Sequence, residues 1–228
     1  MITLAKTQEE LLASITETKP SIINPIGVVG QQVIDKWFYD LRIIVHKEKG
    51  KKPFCYQTAM ARAGFKDFRT NTFLGNLVFG AKLPRSIQRL ASKCGKILGK
   101  GSDAWIFALD AMVNVGDNKE VDDVYLKSEL DKAAQAFAPV QRVKQDESRL
   151  TSFKAWNSKL EKAFQTYREN EHYQKINDII EQNLEKNKSA LVFHESNSCP
   201  EFWENTRLAT GYNVAVPLLK SAQSLIDH

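Results

Sequence analysis

The sequence predicts an all-α fold of eight or nine helices, with at most one small β-hairpin. Apolar side chains recur at helical spacing through residues 146–170 and again through residues 171–189. Residues 104–115 are apolar on nearly every side, which is typical of a helix buried at the centre of a domain. The chain has 228 residues, 43% of them hydrophobic and 26% charged, so it can form one large domain or two small ones.

The N-terminal segment is predicted to be a short helix followed by an extended arm. Thr7 and Glu10 have the spacing of a capping box, which predicts a helix over residues 7–18. Residues 21–30 are apolar but interrupted by Pro and Gly, so we interpret them as an extended linker. The helix and linker could pack on a neighbouring subunit, or fold back on the core of their own chain.

The next part of the chain is predicted to be mainly helical. Residues 31–45 have apolar positions at helical spacing, although residues 42–45 could instead form a strand. A basic loop follows over residues 46–52 and is broken at Gly50. Further helices are predicted over residues 53–63 and 68–80, the second with some strand character.

The remaining helices lead to a division into lobes. They are predicted over residues 84–100, 104–115, 124–137, 146–170, 171–189, 201–210 and 214–226. Pro139 is expected to end the helix over residues 124–137. The two long helices after it could form an antiparallel hairpin, and residues 193–200 are predicted to be a loop. The predicted divisions are an N-terminal helix and arm (1–30), a basic helical lobe (31–140) and a C-terminal helical lobe (141–228).

Positive charge is concentrated in residues 42–100. This stretch contains 14 Lys or Arg residues and only two acidic residues, so its net charge is +12, whereas that of the whole chain is +5. On the helix over residues 84–100, five cations fall within an arc of about 80°. They are Arg85, Arg89, Lys93, Lys96 and Lys100. Their mutual repulsion would be relieved by a polyanion along that face, although a solvated surface helix has the same pattern.

The basic stretch predicts a groove that neutralises a phosphate backbone. The predicted nucleic-acid-binding residues are Lys47, Lys49, Lys51, Lys52, Arg62, Lys66, Arg69, Lys82, Arg85, Arg89, Lys93, Lys96 and Lys100. Phe54, Tyr56, Phe65 and Phe68 alternate with these cations, and such rings either stack on single-stranded bases or belong to the core. Because no base-reading motif is present, we expect binding that is independent of sequence.

The motifs of catalysis and metal binding are absent from the sequence. The four histidines are scattered, and no C-x2-C pair is present for zinc. Residues 95–101 resemble a phosphate loop but lack its spacing and its Ser or Thr. A thiol–imidazole pair of His194 and Cys199 is the one conceivable nucleophilic site. The sequence therefore predicts a protein that is not an enzyme and has no cofactor, catalytic residue or metal site.

Two segments resemble the core helices of a known family. FRTNTFLGNLVFGAKLP (68–84) followed by SDAWIFALDAMVNV (102–115) is similar in order to the core helices of the coat proteins of flexible filamentous plant viruses. Those coat proteins, like the nucleocapsid proteins of some negative-strand RNA viruses, are all-α RNA sheaths with a basic groove and terminal arms. The resemblance implies an RNA-coating homo-oligomer joined through the N-terminal arm, and it assigns no residue roles.

Together these observations predict a sequence-independent nucleic-acid-binding protein that coats single-stranded RNA as an oligomer. As an alternative, the chain is a helical adaptor or assembly subunit whose basic face docks an acidic protein. No apolar run reaches the roughly 18 residues of a membrane span, and the N-terminus lacks the pattern of a signal peptide. Three widely spaced cysteines suit a reducing compartment, so we expect an intracellular, cytoplasmic protein without a membrane partner.

Overall fold

The computed structural model describes residues 9–10, 37–65, 76–115, 119–146, 148–197 and 204–226. The chain divides into two compact units, Met1–Ile34 and Asp35–His228. In the first unit, Glu9 and Glu10 are helical. The rest of the predicted helix over residues 7–18 and the predicted arm lie outside the described residues.

A six-stranded antiparallel sheet organises the second unit, so the predicted all-α fold is wrong. The strands are β1 (Tyr39–Lys47), β2 (Phe54–Cys55), β3 (Thr58–Ala63), β4 (Leu77–Lys82), β5 (Trp105–Val113) and β6 (Leu191–Asn197). Their order is β4-β3-β1-β5-β6, and β2 also pairs with β1, where Val45 lies opposite Cys55. Strand β1 is therefore at the centre of the sheet.

Helices pack against this sheet. Those in the described ranges are α1 (Arg85–Leu98), α2 (Asp123–Lys144), α3 (Ser148–Thr151), α4 (Phe153–Arg168), α5 (Glu171–Lys186), α6 (Asn205–Thr210) and α7 (Ala215–Ile226). The main core joins Leu41, Ile43 and Leu109 of the sheet to Phe137 of α2 and Phe164 of α4. Since successive side chains of a strand alternate between faces, the intervening residues of β1 form a second, different surface.

Two predicted helices are strands because their residues are buried on both faces of the sheet. Residues 39–47 form β1, where only the strand alternative for residues 42–45 is confirmed. The predicted central helix over residues 104–115 is β5, in which Ala108, Leu109, Asp110 and Ala111 are all buried. A strand covered on both faces has no polar–apolar alternation, so its composition resembles that of a buried helix.

Other predicted elements also differ in type or length. The predicted helix over residues 53–63 is β2 and β3, and residues 77–82 of the next predicted helix form β4. The predicted loop over residues 193–200 overlaps β6. Helix α2 runs past Pro139 to Lys144. Pro139 has no N–H to donate to the backbone carbonyl one turn earlier, but it lies on an exposed side of the helix, so that carbonyl can bond to water.

Several elements agree with the prediction. The helix over residues 84–100 is α1, with Pro84 at its N-cap and Gly99 at its C-cap. The basic loop turns at Gly50, which has a φ of 74°. The two long predicted helices correspond to α3 with α4 and to α5, and Gly211, with a φ of 76°, follows α6. The unit Asp35–His228 spans both predicted lobes, and β6 pairs with β5 across the boundary at residues 140 and 141.

Helix α5 closes the outer edge of β4. The backbone N–H of Gly80 donates to the Tyr173 hydroxyl at 2.8 Å, and that of Lys82 donates to Glu181 Oε1 at 2.8 Å. An unpaired strand edge would otherwise offer these donors to another chain. No helix in the described ranges has the length and apolar content needed to cross a lipid bilayer.

A buried carboxylate joins α2 to α5. Glu129 is 3% exposed; one of its oxygens lies 2.7 Å from His172 Nδ1 and the other accepts from Lys132 at 2.9 Å. Hydrogen bonds with His172 and Lys132 lower the pKa of Glu129 from its ordinary value of 4.5 to about 2. The charged carboxylate is thus favoured in the folded state, and it stabilises the contact between the two helices.

Replacing Glu129 by Gln should lower the free energy of unfolding by about 1–3 kcal/mol near neutral pH, because the charged hydrogen bonds are lost. The difference in unfolding free energy between wild type and variant is complete above pH 4.5. It disappears as the pH falls towards 2, where the Glu129 carboxylate of the folded protein is protonated. Urea unfolding of both proteins across this range measures the difference. Glu185→Gln is the matched control, since Glu185 forms an exposed pair with Lys188, and it should change stability by less than about 0.5 kcal/mol. An equal effect of the two substitutions would contradict the assignment.

Candidate functional site

Helix α1 lies at one end of the sheet because of the strands it connects. Lys47, at the end of β1, is opposite Trp105, at the start of β5. Thr58, at the start of β3, is opposite Lys82, at the end of β4. These strand ends therefore share one end of the antiparallel sheet. Helix α1 runs from β4 to β5 there, past the positions of β3 and β1.

Close packing on Trp105 fixes the orientation of α1. The buried side of the helix is the narrow stripe of Ile87, Ala91 and Gly95. A Cβ atom on Gly95 would lie 2.8 Å from Trp105 Cη2 and 2.9 Å from Val45 Cγ2, closer than side chains tolerate. A Cβ atom on Gly99 would also lie too close to the Trp105 ring. The indole thus occupies the space that side chains would fill at two successive turns of α1.

This orientation directs the cations of α1 into solvent beside those of the β1–β2 loop. We call the resulting surface the basic edge. It consists of Lys47, Lys49, Lys51, Lys52, Lys82, Arg85, Arg89, Lys93, Lys96 and Lys100. Lys47 Nζ lies 3.5 Å from the carbonyl oxygen of Ser102, so the end of β1 meets the turn after α1. The structure thereby brings together ten of the thirteen residues predicted to bind nucleic acid.

The basic edge has little compensating negative charge. Between residues 47 and 57 and between residues 82 and 104, the acidic residues are Glu48 and Asp103. Glu48 pairs with Lys51, and a hydrogen bond from that lysine lowers the pKa of Glu48. Among the described residues, no carboxylate lies within ion-pair distance of Arg85, Arg89, Lys93 or Lys96.

Other exposed helices of the unit balance their charges differently. In α2 and α5, Lys132 and Lys175 pair with Glu129, and Lys188 pairs with Glu185 just beyond α5. Arg207 of α6 pairs with Glu161 of α4. Helix α1 has 14 residues and none of them is acidic, so its cations cannot form ion pairs within the helix. The absence of counter-charge distinguishes α1 from these helices.

Arg62, unlike the basic edge, is buried near the opposite end of the sheet. Its guanidinium pairs with Asp40 and lies 3.3 Å from Asp110, which also binds Arg42 at 2.7 Å. Burial opposes ionisation of Asp110, but the hydrogen bond from Arg42 and the charge of Arg62 outweigh it and lower the pKa of Asp110. The two arginines and two aspartates neutralise each other, so Arg62 is used internally and is not a surface phosphate contact. Lys66 and Arg69 lie outside the described residues.

The aromatic residues singled out in the sequence have different surroundings. Phe54 is 45% exposed and follows the basic loop directly. Tyr56 is buried, with its ring 4.3 Å from that of Tyr212, and burial raises its pKa to about 12. Phe65 is 40% exposed and follows β3 at the opposite end of the sheet, whereas Phe68 lies outside the described residues. Only Phe54 combines an exposed ring with a place beside the basic edge.

The remaining candidates from the sequence show no assembled chemistry. His194 lies in β6, and Cys199 is outside the described residues. Within the described ranges, no three His, Cys, Asp or Glu side chains are grouped as metal ligands. Comparison with family models, with curated proteins and with solved structures finds no significant match for this chain. The basic edge is therefore the candidate functional site of the described residues.

The packing of α1 predicts an unusual response to alanine. Gly→Ala inside a helix normally stabilises by about 1 kcal/mol, but at Gly95 the added methyl would overlap Trp105 and Val45. We expect Gly95→Ala to lower the free energy of unfolding by about 1–2 kcal/mol, because overpacking outweighs helix propensity. Urea unfolding measures this change. Ser92→Ala, on a less buried side of α1, is the control and should not destabilise; a more stable Gly95→Ala variant would show that α1 does not pack this closely.

Proposed function

We propose that the basic edge binds the phosphate backbone of nucleic acid without reading its sequence. The observation that supports this most directly is the set of exposed cations on α1 that have no carboxylate partner among the described residues. Clustered cations at helical spacing repel one another, which costs stability in the free protein. A bound polyanion replaces that repulsion by attraction, so the same cluster that destabilises the free surface favours the complex.

The dimensions and composition of the surface suit an extended polyanion. Helix α1 has 14 residues and is therefore about 21 Å long, so its cations form a row and not a point. Lys49, Lys51 and Lys52 belong to the loop after Lys47, whose Nζ lies 3.5 Å from the carbonyl oxygen of Ser102 in the turn after the helix. Neutralising several phosphates releases condensed counterions, which gives tight binding at low salt and a steep loss of affinity as salt rises.

The proposed binding does not include a coat-like assembly. The two segments compared with coat-protein core helices contain the strands β4 and β5, so the similarity in helix order is wrong. The expected RNA sheath rests on that resemblance, and the expected arm contact between subunits falls on residues outside the described ranges. RNA and DNA are therefore both candidate ligands of the basic edge, and an acidic protein is the alternative partner.

Charge reversal on α1 tests the proposal. We expect Arg85→Glu/Arg89→Glu/Lys93→Glu to weaken binding to unstructured RNA and DNA oligonucleotides at least about 30-fold at 50 mM salt. The slope of log affinity against log salt should also fall in magnitude by about 2 or more, since three phosphate contacts are lost. Fluorescence anisotropy over a salt series measures both quantities. The three side chains are exposed, so circular dichroism and thermal unfolding should show an intact fold.

A matched control separates local contacts from net charge. Arg149→Glu/Lys154→Glu/Lys162→Glu makes the same change in net charge at exposed positions of α3 and α4. This control should retain most of the affinity. If both triple variants bind equally weakly, attraction is a property of the whole protein and not of the basic edge. If the wild-type protein binds no nucleic acid at low salt, the proposal is wrong and an acidic protein becomes the partner to seek.

A further inference from the structure

Phe54 is an exposed ring in contact with two other aromatic side chains, one of which packs on a third. Its ring centroid is 5.6 Å from that of His46 and 5.4 Å from that of Tyr56, both in edge-on arrangements. The His46 and Tyr56 rings are themselves 5.5 Å apart, and Tyr56 packs on Tyr212 at 4.3 Å. The His46 and Tyr56 rings thus support a ring that is 45% exposed.

The pairing of β1 and β2 places this ring beside the cations. Phe54 is opposite His46, which immediately precedes Lys47 at the end of β1. On its other side, Lys51, Lys52 and Pro53 lead directly into Phe54. Single exposed apolar residues are common at protein surfaces and need no explanation by themselves. Here the ring lies on the His46 face of the sheet, opposite the Val45 face that packs on α1, and it adjoins the lysines of the β1–β2 loop. A supported ring next to cations combines the two components of a single-strand binding surface.

We propose that Phe54 is a base-stacking platform, and that it makes the basic edge favour single-stranded over double-stranded nucleic acid. This inference rests on the proposed function, because the phosphate contacts must first bring a strand to the ring. Every base has a π-face, so stacking on Phe54 adds affinity without adding sequence specificity. In a duplex the bases are stacked on one another, so their faces cannot reach the ring. His46 and Tyr56 act as positioning residues that hold the Phe54 ring in place.

The experiment compares ligands that differ only in their bases. The probes are a labelled oligothymidylate of about 12 nucleotides, an abasic strand of the same length, and a duplex of the same length. The wild-type protein should bind oligothymidylate about 5- to 100-fold more tightly than the abasic strand, the range expected for stacking on one ring. In Phe54→Ala this ratio should approach one, while affinity for the abasic strand and the duplex, and the salt slope, should stay unchanged.

Control variants exclude a general effect of losing a ring. Phe153→Ala removes a similarly exposed phenylalanine, 49% exposed, from α4, and it should keep the wild-type ratio. Phe54→Trp should keep or increase the ratio. The fluorescence that the introduced indole adds to that of the wild-type protein should be quenched by oligothymidylate and not by the abasic strand. This readout needs no alanine variant and stays available if Phe54→Ala unfolds.

The outcomes distinguish failure of this inference from failure of the proposed function. If the wild-type protein binds neither oligothymidylate nor the abasic strand, the proposed function fails and the stacking platform fails with it. If it binds both with equal affinity, or if Phe54→Ala keeps the wild-type ratio and Phe54→Trp shows no selective quenching, the stacking role is wrong while phosphate binding stands.

Discussion

The packing of α1 against Trp105 is the contact on which the cationic surface depends. Gly95 and Gly99 admit the indole ring where side chains would push the helix away from the sheet. With Ile87, Ala91 and Gly95 turned towards the sheet, the cations on the other side of α1 must point into solvent. The same register aligns the helix with the β1–β2 loop, so two stretches of sequence form one surface. Rotation of α1 by a quarter turn would bury part of this charge, at a large cost in free energy.

Cations have two distinct environments in this fold. Arg42 and Arg62 lie on the sheet between Asp40 and Asp110, where each charge has a partner and burial is compensated. On the basic edge, the cations of α1 share one solvent-exposed surface without carboxylate partners in the described part of the chain. The first arrangement stabilises the sheet, and the second favours binding of an external anion. Residue type alone does not distinguish the two environments, because both use arginine within the same basic stretch of sequence.

Sequence patterns predicted the surface better than the fold. The amphipathic helix α1, bounded by Pro84 and Gly99, was predictable because its periodicity and its ends are local signals. The sequences of β1 and β5 resemble those of buried helices, because burial on both faces removes the polar–apolar alternation of a strand. The three alanines of β3 favour a helix by their intrinsic propensity. Their small side chains, at alternate positions, instead fit a closely covered face of the sheet. The internal role of Arg62 depends on carboxylates in β1 and β5, so it required the strand pairing to be known.

Lysine footprinting would test most directly whether nucleic acid binds at the basic edge. The protein would be treated with an amine-reactive reagent at low salt, with and without an unstructured oligonucleotide, and modification would be measured by mass spectrometry. Binding at the basic edge predicts protection of Lys49, Lys93 and Lys96, with unchanged reactivity at the exposed residues Lys127, Lys154 and Lys162. Equal protection of both sets, or protection confined to the second set, would contradict the account.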